Sequence, residues 1–487
     1  MLLRVLRFFW KLLKWSFLLV IVLTALLVAI NWRDEPLSDE ARALLAEKPA
    51  NVPDRENIYV AMAGLDAPEG ADIFEAGRNR IEATKKTQGL HPLEVKHAAD
   101  QDTKEKLAWQ ATNPPFDARI SQGTHFPESV RAKKDLIQAA LAANKILIQR
   151  YRSMQELPEY AAPKFFSLFY DSIDYQQMMK TQRFLLAQAL LDMEAGNTGA
   201  GLSFFKKDLA MWRRVLEQKT YLLDTMFAVR SMTNDIYVLN LLLASPSTQA
   251  EMQRDEWREL LEPLSQEQYS LFSAVKGEIK FAYHTGPALK RWVSYKDLAN
   301  QSLHFCRLFQ TGMSECPVWR SWLEQNSTVF FLQPTATINH FVPAYQAQLK
   351  LTSLSWQDYL EQRDRILKPL VDAYDKPKID WIYNPIGKSQ ASYSVRIYDS
   401  YVERMHDLDT YLQLVRLQLE LRLAKVPTAE IPDFVRTHSP ASGSGAPGAE
   451  FSWDAQTRLL SFKPYEESFT RFVPASVYVP DPSAQGQ

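Results

Sequence analysis

Two tetrads carry serine and lysine one helical turn apart, Ser203-Phe-Phe-Lys206 and Ser273-Ala-Val-Lys276. In that spacing a lysine amine can take the proton of a serine hydroxyl and turn it into a nucleophile. Asp407-Leu-Asp409 offers two carboxylates for a divalent cation, and His91-Pro-Leu-Glu94-Val-Lys-His97 two imidazoles and a carboxylate for a transition metal. Asn384-Pro-Ile-Gly387-Lys388 has the glycine and lysine of a phosphate loop.

Each pattern has a weakness in its surroundings. The Lys-Thr-Gly that accompanies Ser-x-x-Lys in penicillin-binding enzymes is missing, and both tetrads lie inside amphipathic helical stretches. Asp407 and Asp409 also fall within such a stretch and read as solvated helix carboxylates. His91 and His97 are too far apart for one helix face, since a helix brings i and i+4 together. The Asn384–Lys388 segment lacks the upstream glycine and the strand–loop–helix context of a phosphate loop, and reads instead as a structured turn between helices. His-Glu-x-x-His, Gly-x-Ser-x-Gly and Cys-x-x-Cys do not occur in the chain, and no Gly-x-Gly-x-x-Gly follows a predicted strand. Sequence alone therefore nominates no catalytic, metal or cofactor-binding residue.

The elements that would position such groups begin with Trp15–Trp32, which carries no charge between Lys14 and Arg33. Its length approaches the roughly 20 residues a helix needs to cross the hydrocarbon core. Trp15 and Trp32 would sit at the two interfaces, and Lys14 and Arg33 would snorkel to the headgroups. Arg4, Arg7, Lys11 and Lys14 precede the span without an acid among them, whereas Arg33 is followed by Asp34, Glu35, Asp39 and Glu40. The positive-inside bias then puts the N-terminus in the cytoplasm and the rest of the chain across the membrane. Leu27-Val28-Ala29 is not a small-x-small cleavage pattern, and no cysteine follows the span as a lipid acceptor, so an uncleaved signal anchor is expected.

Composition bounds the remainder. Apolar residues make 46% and charged residues 23% of the 487, close to the globular average, so a folded domain is expected. A net charge of −1 provides no field for nucleic acid. Apolar residues recur at helical spacing over residues 136–154, 167–195, 204–216, 221–244, 266–283, 355–374 and 398–425, with Gly196 suited to a left-handed cap and Ser355 to an N-cap. Residues 87–127 and 284–342 read as irregular. Phe451–Phe462 alternates around a turn at Asp454–Thr457 and predicts a β-hairpin.

The expected organisation is a basic cytoplasmic segment (1–14), a transmembrane helix (15–32), a linker (33–56), a helical ectodomain (57–426), and a C-terminal loop, β-hairpin and extended tail (427–487). The fold class is mainly α, built of antiparallel helix hairpins. Leu190–Gln218 resembles a single helix-turn-helix unit of the tetratricopeptide kind, and the likeness covers that unit alone, without a regular period along the chain. Such stacks present concave surfaces to protein or peptide partners. The functional expectation is a single-pass protein of a Gram-negative inner membrane, in contact with lipid through its N-terminal helix, whose periplasmic domain binds a partner in the envelope. The alternatives are a periplasmic or lumenal enzyme whose residues converge from distant helices, and a structural spacer. No small-molecule ligand is specified.

Cys306 and Cys316, the two cysteines of the chain, flank a stretch with Gly312 and Ser314, beside Pro317. In an oxidising compartment this spacing predicts a disulfide, worth less than the ~3 kcal/mol of a 15-residue loop. Mass spectrometry without reduction should find the Cys306–Cys316 bridge; two alkylatable thiols in the native protein would exclude it.

Overall fold

The computed structural model describes residues 2–46, 52–87, 107, 109, 126–163, 173–245, 255–293, 331–374, 382–388, 395–439, 451–465 and 475–480, with backbone alone for 2–7 and 287–293. Cys306, Cys316, the His91–His97 cluster and Ala441–Ala449 lie outside the described residues.

The protein is mostly helical. The first helix, α1 (Leu2–Ile30), contains a 23-residue run from Phe8 to Ile30 that is long and apolar enough to cross a membrane. None of that run is buried against the rest of the chain, unlike the core helix of a soluble protein. The helix stops two residues earlier than the span read from the sequence, which puts Trp32 in the exit turn. The next helix, α2 (Asp39–Leu45), starts at Ser38, whose hydroxyl accepts from Ala41 N. It packs on two later helices, so residues 33–46 run along the folded domain instead of holding it away from α1.

Every residue of α3 (Ile58–Ala63) is buried. It lies so close to α4 (Ile73–Thr87) that a Cβ on Gly77 would sit 2.0 Å from Val60 O. The turn between them is held from inside the protein: Arg150 donates to the carbonyls of Leu65 (3.1 Å) and Pro68 (2.8 Å), and Arg80 pairs with buried Asp66.

Residues 136–154 do not form one helix. The chain gives α5 (Phe126–Ala132), α6 (Lys134–Ala143) and α7 (Lys145–Gln155). Asn144 causes the second break, because its side chain takes the Ala140 carbonyl (2.8 Å) and its backbone leaves the helical region. Then come α8 (Tyr175–Glu194), α9 (Thr198–Glu217) and α10 (Leu222–Ala244), with Gly196 at φ 88° closing α8 in the left-handed conformation expected of it. α8 packs on α9 and α9 on α10. α10 is buried on nearly every face, although it carries Asp224, Asn234, Asp235 and Asn240.

Residues 266–283 are likewise broken, into α12 (Gln266–Tyr269) after the short α11 (Glu256–Leu260), and α13 (Phe272–Val293). Ser270 is extended there, and Leu271 N turns away to bond Thr352 O at 3.2 Å. The irregular reading of 284–342 fails where the chain is described: α13 continues to Val293, and α14 (Pro334–Leu351) starts with a proline whose fixed φ suits a first helical position. α15 (Trp356–Tyr374) has the expected cap, with Asp358 N donating to Ser355 Oγ at 3.2 Å. The last long helix is α16 (Asp399–Leu423), followed by α17 (Ile431–His438).

The C-terminal hairpin exists and is larger than expected. β1 (Ser452–Asp454) and β2 (Leu459–Ser461) pair antiparallel with Trp453 opposite Leu460, around a turn held by Asp454. β3 (Ser476–Tyr478), from the segment read as a tail, adds a third antiparallel strand with Val477 opposite Leu460. Leu460 and Val477 are buried, and β2 and β3 pack on α16.

Glycine sets two contrasting tests. A Cβ on Gly277 of α13 would lie 1.7 Å from Thr220 O, whereas one on Gly199 of α9 would meet nothing within 4 Å. Alanine is ordinarily the better helix residue by about 1 kcal/mol. Gly277→Ala should instead destabilise by about 3 kcal/mol through overpacking, and Gly199→Ala should not destabilise, as chemical denaturation would read.

Candidate functional site

The polar centre of the domain lies where α7, α8, α9 and α10 meet. Asp208 of α9 and Asp235 of α10 have no exposed surface. Asp208 accepts from Tyr151 Oη (2.9 Å), Gln155 Nε2 (2.6 Å), Gln182 Nε2 (2.7 Å) and Trp212 Nε1 (3.3 Å). Gln182 also reaches Asp235 Oδ1 and Ser231 O, both at 3.2 Å. Among the described residues Asp235 Oδ2 is buried without a hydrogen-bond partner, and Asp208 acts on it electrostatically.

Their electrostatics follow from burial. Loss of water raises both pKa values above the usual carboxylate range, and for Asp235 the neighbouring Asp208 raises it further. Asp208 is held back by its donors Gln182, Gln155 and Tyr151. A proton kept on Asp235 relieves the repulsion between the two buried carboxylates. Tyr151 is correspondingly pushed well above its ordinary value, by burial first and by the two aspartates next.

Gln155 links this centre to the surface. It also lines a cleft of about 280 Å³ between α7, α8 and α9, where Ser203 and Lys207 stand on one wall and Gln188 and Asp192 on another. Arg152 and Glu156 contribute from the α7 side. Lys207 pairs with Glu156 at 2.5 Å, and Gln188 donates to Asp192 at 2.8 Å. The floor is apolar through Leu185, Ala189 and Phe204. The cleft therefore offers both signs of charge over an apolar base, at a size that takes one or two side chains.

The tetrad containing Ser203 does not assemble a nucleophile. Ser203 faces the cleft, but Lys206 is turned to Glu259 of α11 at 3.0 Å. Ser273 is exposed at the start of α13. The reading of Asp407 and Asp409 as solvated carboxylates is overturned. Asp407 is fully buried and accepts Tyr465 N at 3.0 Å, and Asp409 accepts Leu264 N (2.7 Å) and Gln413 Nε2 (2.6 Å). The two pin different chain segments to α16. Residues 384–388 are a helix start and not the turn read from the sequence: 385–388 are helical, and Asn384, at φ 53°, caps them by accepting Gly387 N at 3.3 Å. Arg33 and Trp32 are exposed where the chain leaves α1; Trp15, Lys11 and Lys14 are exposed along that helix.

Other buried polar groups escaped sequence reading. Asp224 accepts from the hydroxyls of Tyr160 and Tyr175. Lys219 is buried, with its pKa pushed down to about 7 by desolvation, yet its ammonium donates to Leu216 O, Glu267 O (2.8 Å) and Gln268 O (2.9 Å). With all three protons on carbonyls it joins α9 to α12 and is not poised as a nucleophile. His406 stacks on Trp356 at 4.0 Å, and burial drives its pKa down to about 3, so it is a neutral packing group. Among the described residues no three His, Cys, Asp or Glu side chains converge as a metal site. Protein-family models, curated proteins and solved structures yield no match to this chain.

The acid pair has a measurable signature. A proton kept by native Asp235 is released on unfolding above the ordinary carboxylate pKa, so wild-type stability falls as pH rises past about 4. Asparagine takes the place of Asp235 without a titrating proton. Asp235→Asn should therefore gain stability relative to wild type between pH 5 and pH 8 in thermal melts, and a constant difference would mean that native Asp235 is ionised. Asp208→Ala, which orphans its buried donors, should cost about 3 kcal/mol or more at either pH.

Proposed function

We propose that this chain is a single-pass inner-membrane protein, N-terminus cytoplasmic, whose periplasmic helical domain binds a protein or peptide of the envelope in the α7–α8–α9 cleft. Support for the anchor comes from the unburied apolar run of α1 and from the basic residues before and acidic residues after it. A disulfide between Cys306 and Cys316 belongs to the same reading of the compartment.

The observation that carries the binding reading is the composition of the cleft. Arg152, Lys207, Glu156 and Asp192 balance in charge around an apolar floor. A peptide presents that mixture of apolar side chain and polar groups of both signs, whereas a nucleotide or phosphate would call for a cationic surplus. Packing between helices, with α7, α8 and α9 as consecutive elements of a stacked array, gives such a groove rigid walls. The enzyme alternative has one feature in its favour, the Asp208–Asp235 pair, but Gln155 stands between that pair and the cleft.

Site-specific photocrosslinking tests the proposal. Benzoylphenylalanine at Ser203, in the cleft, should trap a discrete envelope protein in intact cells, and at Leu136, exposed on α6, it should not. A cytoplasmic protein in the Ser203 adduct, or equal trapping at the two positions, would overturn it.

A further inference from the structure

We propose that the segment 382–388 is a lipid-contacting surface of the helical domain, clamped to the end of α1 so that Ile382 and Trp32 enter the same membrane boundary. This rests on the reading of α1 as the membrane-spanning helix.

The 23-residue apolar run ends at Ile30, which sets the boundary of the bilayer at the residues that follow. Asn31, the first of them, is only 2% exposed. Its side chain donates to Leu27 O (2.9 Å) and Ile382 O (2.8 Å) and accepts from Asn384 N (2.7 Å), and its own carbonyl accepts from Gln333 Nε2. Asn384 extends the clamp, accepting Gln333 N at 2.9 Å and donating to Thr337 Oγ1 at 3.0 Å. Gly387 is needed for the closeness of this packing, since a Cβ there would lie 2.0 Å from Thr337 Oγ1. Asp34 then caps α14, accepting Thr335 N (2.8 Å) and Ala336 N (2.9 Å).

These groups satisfy one another without water, as a polar junction at the hydrocarbon edge must. Two large apolar side chains are left outside by the clamp, Ile382 at 43% and Trp32 at 71% exposed, and the exposed Arg33 beside Trp32 can reach the headgroups. Because the Ile382 carbonyl touches the Asn31 side chain, Ile382 lies within one side-chain length of the helix end. That distance is within the headgroup layer, where an indole also prefers to lie. Continuity with the apolar surface of α1 makes lipid the occupant in preference to a protein partner.

The test uses the full chain in liposomes of phosphatidylethanolamine and phosphatidylglycerol, with benzoylphenylalanine at Leu23, Ile382 or Phe272 and lipid adducts read by mass spectrometry. Phe272 is a matched control: it is 42% exposed and lies near Thr352, at the other end of α14 from the clamp. The 18 residues of α14 separate the two by about 27 Å along the axis at ~1.5 Å per residue. Adducts are expected at Leu23 and Ile382, with several-fold less at Phe272. Absence of adduct at Leu23 would remove the anchor reading itself. Adduct at Leu23 but none at Ile382, a protein adduct at Ile382, or equal yields at Ile382 and Phe272 would each overturn the proposal and leave the anchor standing. Asn31→Leu should lower the Ile382 yield with Leu23 unchanged; an undiminished Ile382 yield would refute the clamp.

Discussion

A carboxylate taken fully out of water must be given donors by the protein, and Asp208 draws its donors from three helices. Tyr151 and Gln155 come from α7, Gln182 from α8 and Trp212 from α9 itself, and Gln182 also bonds Ser231 O and Asp235 of α10. Each bond between helices fixes the rotation of one helix against another, because turning either by one residue would separate the pair. Apolar packing alone tolerates such rotations at modest cost, whereas an orphaned buried charge does not. The register of α7 through α10, and with it the shape of the cleft behind Gln155, depends on this single charge.

The same device recurs wherever irregular chain meets a helix. Two arginines hold the Gly64–Ala71 turn, Asp224 gathers Tyr160 and Tyr175, Asp407 holds the strand-side segment at Tyr465, and Lys219 ties α9 to α12. In each case one long or charged side chain serves several backbone or hydroxyl groups that would otherwise be buried without partners. Apolar area supplies the stability of this core, and the buried polar groups decide which of the packings open to it is adopted.

This division explains what could be read from the sequence. The long helices were legible because their apolar residues recur at helical spacing, and the caps at Ser355 and Gly196 because their chemistry is local. The breaks at Asn144 and Ser270 were not, since each depends on a competing hydrogen bond, one of them to distant Thr352. In the 284–342 region, read as irregular, Pro334 begins a helix that continues through Pro343. Asp208 had a readable signal. It follows Lys206 and Lys207 and looks like part of a solvated face, yet it falls on the stripe of Leu202, Phe205, Leu209, Trp212 and Leu216, all buried. An acid on an apolar stripe is the mark of a pinned core. Its partners, coming from two other helices, could not be named from spacing.

The cleft and the clamp are joined through packed helices. α14, which receives Asp34 and Asn384, packs on α13; α13 packs on α10, and α10 on α9, which supplies one wall of the cleft. Each of these contacts lies within the contiguous core, and none passes through an unpacked linker. If α1 crosses the bilayer and the clamp holds, the cleft has a fixed height and a fixed orientation above the membrane surface. A tethered domain on a flexible linker samples partners over a wide volume; a clamped one meets only those that present their binding segment at one level. The polar residues at Asn31 and Asn384 would then act on partner selection without touching any partner.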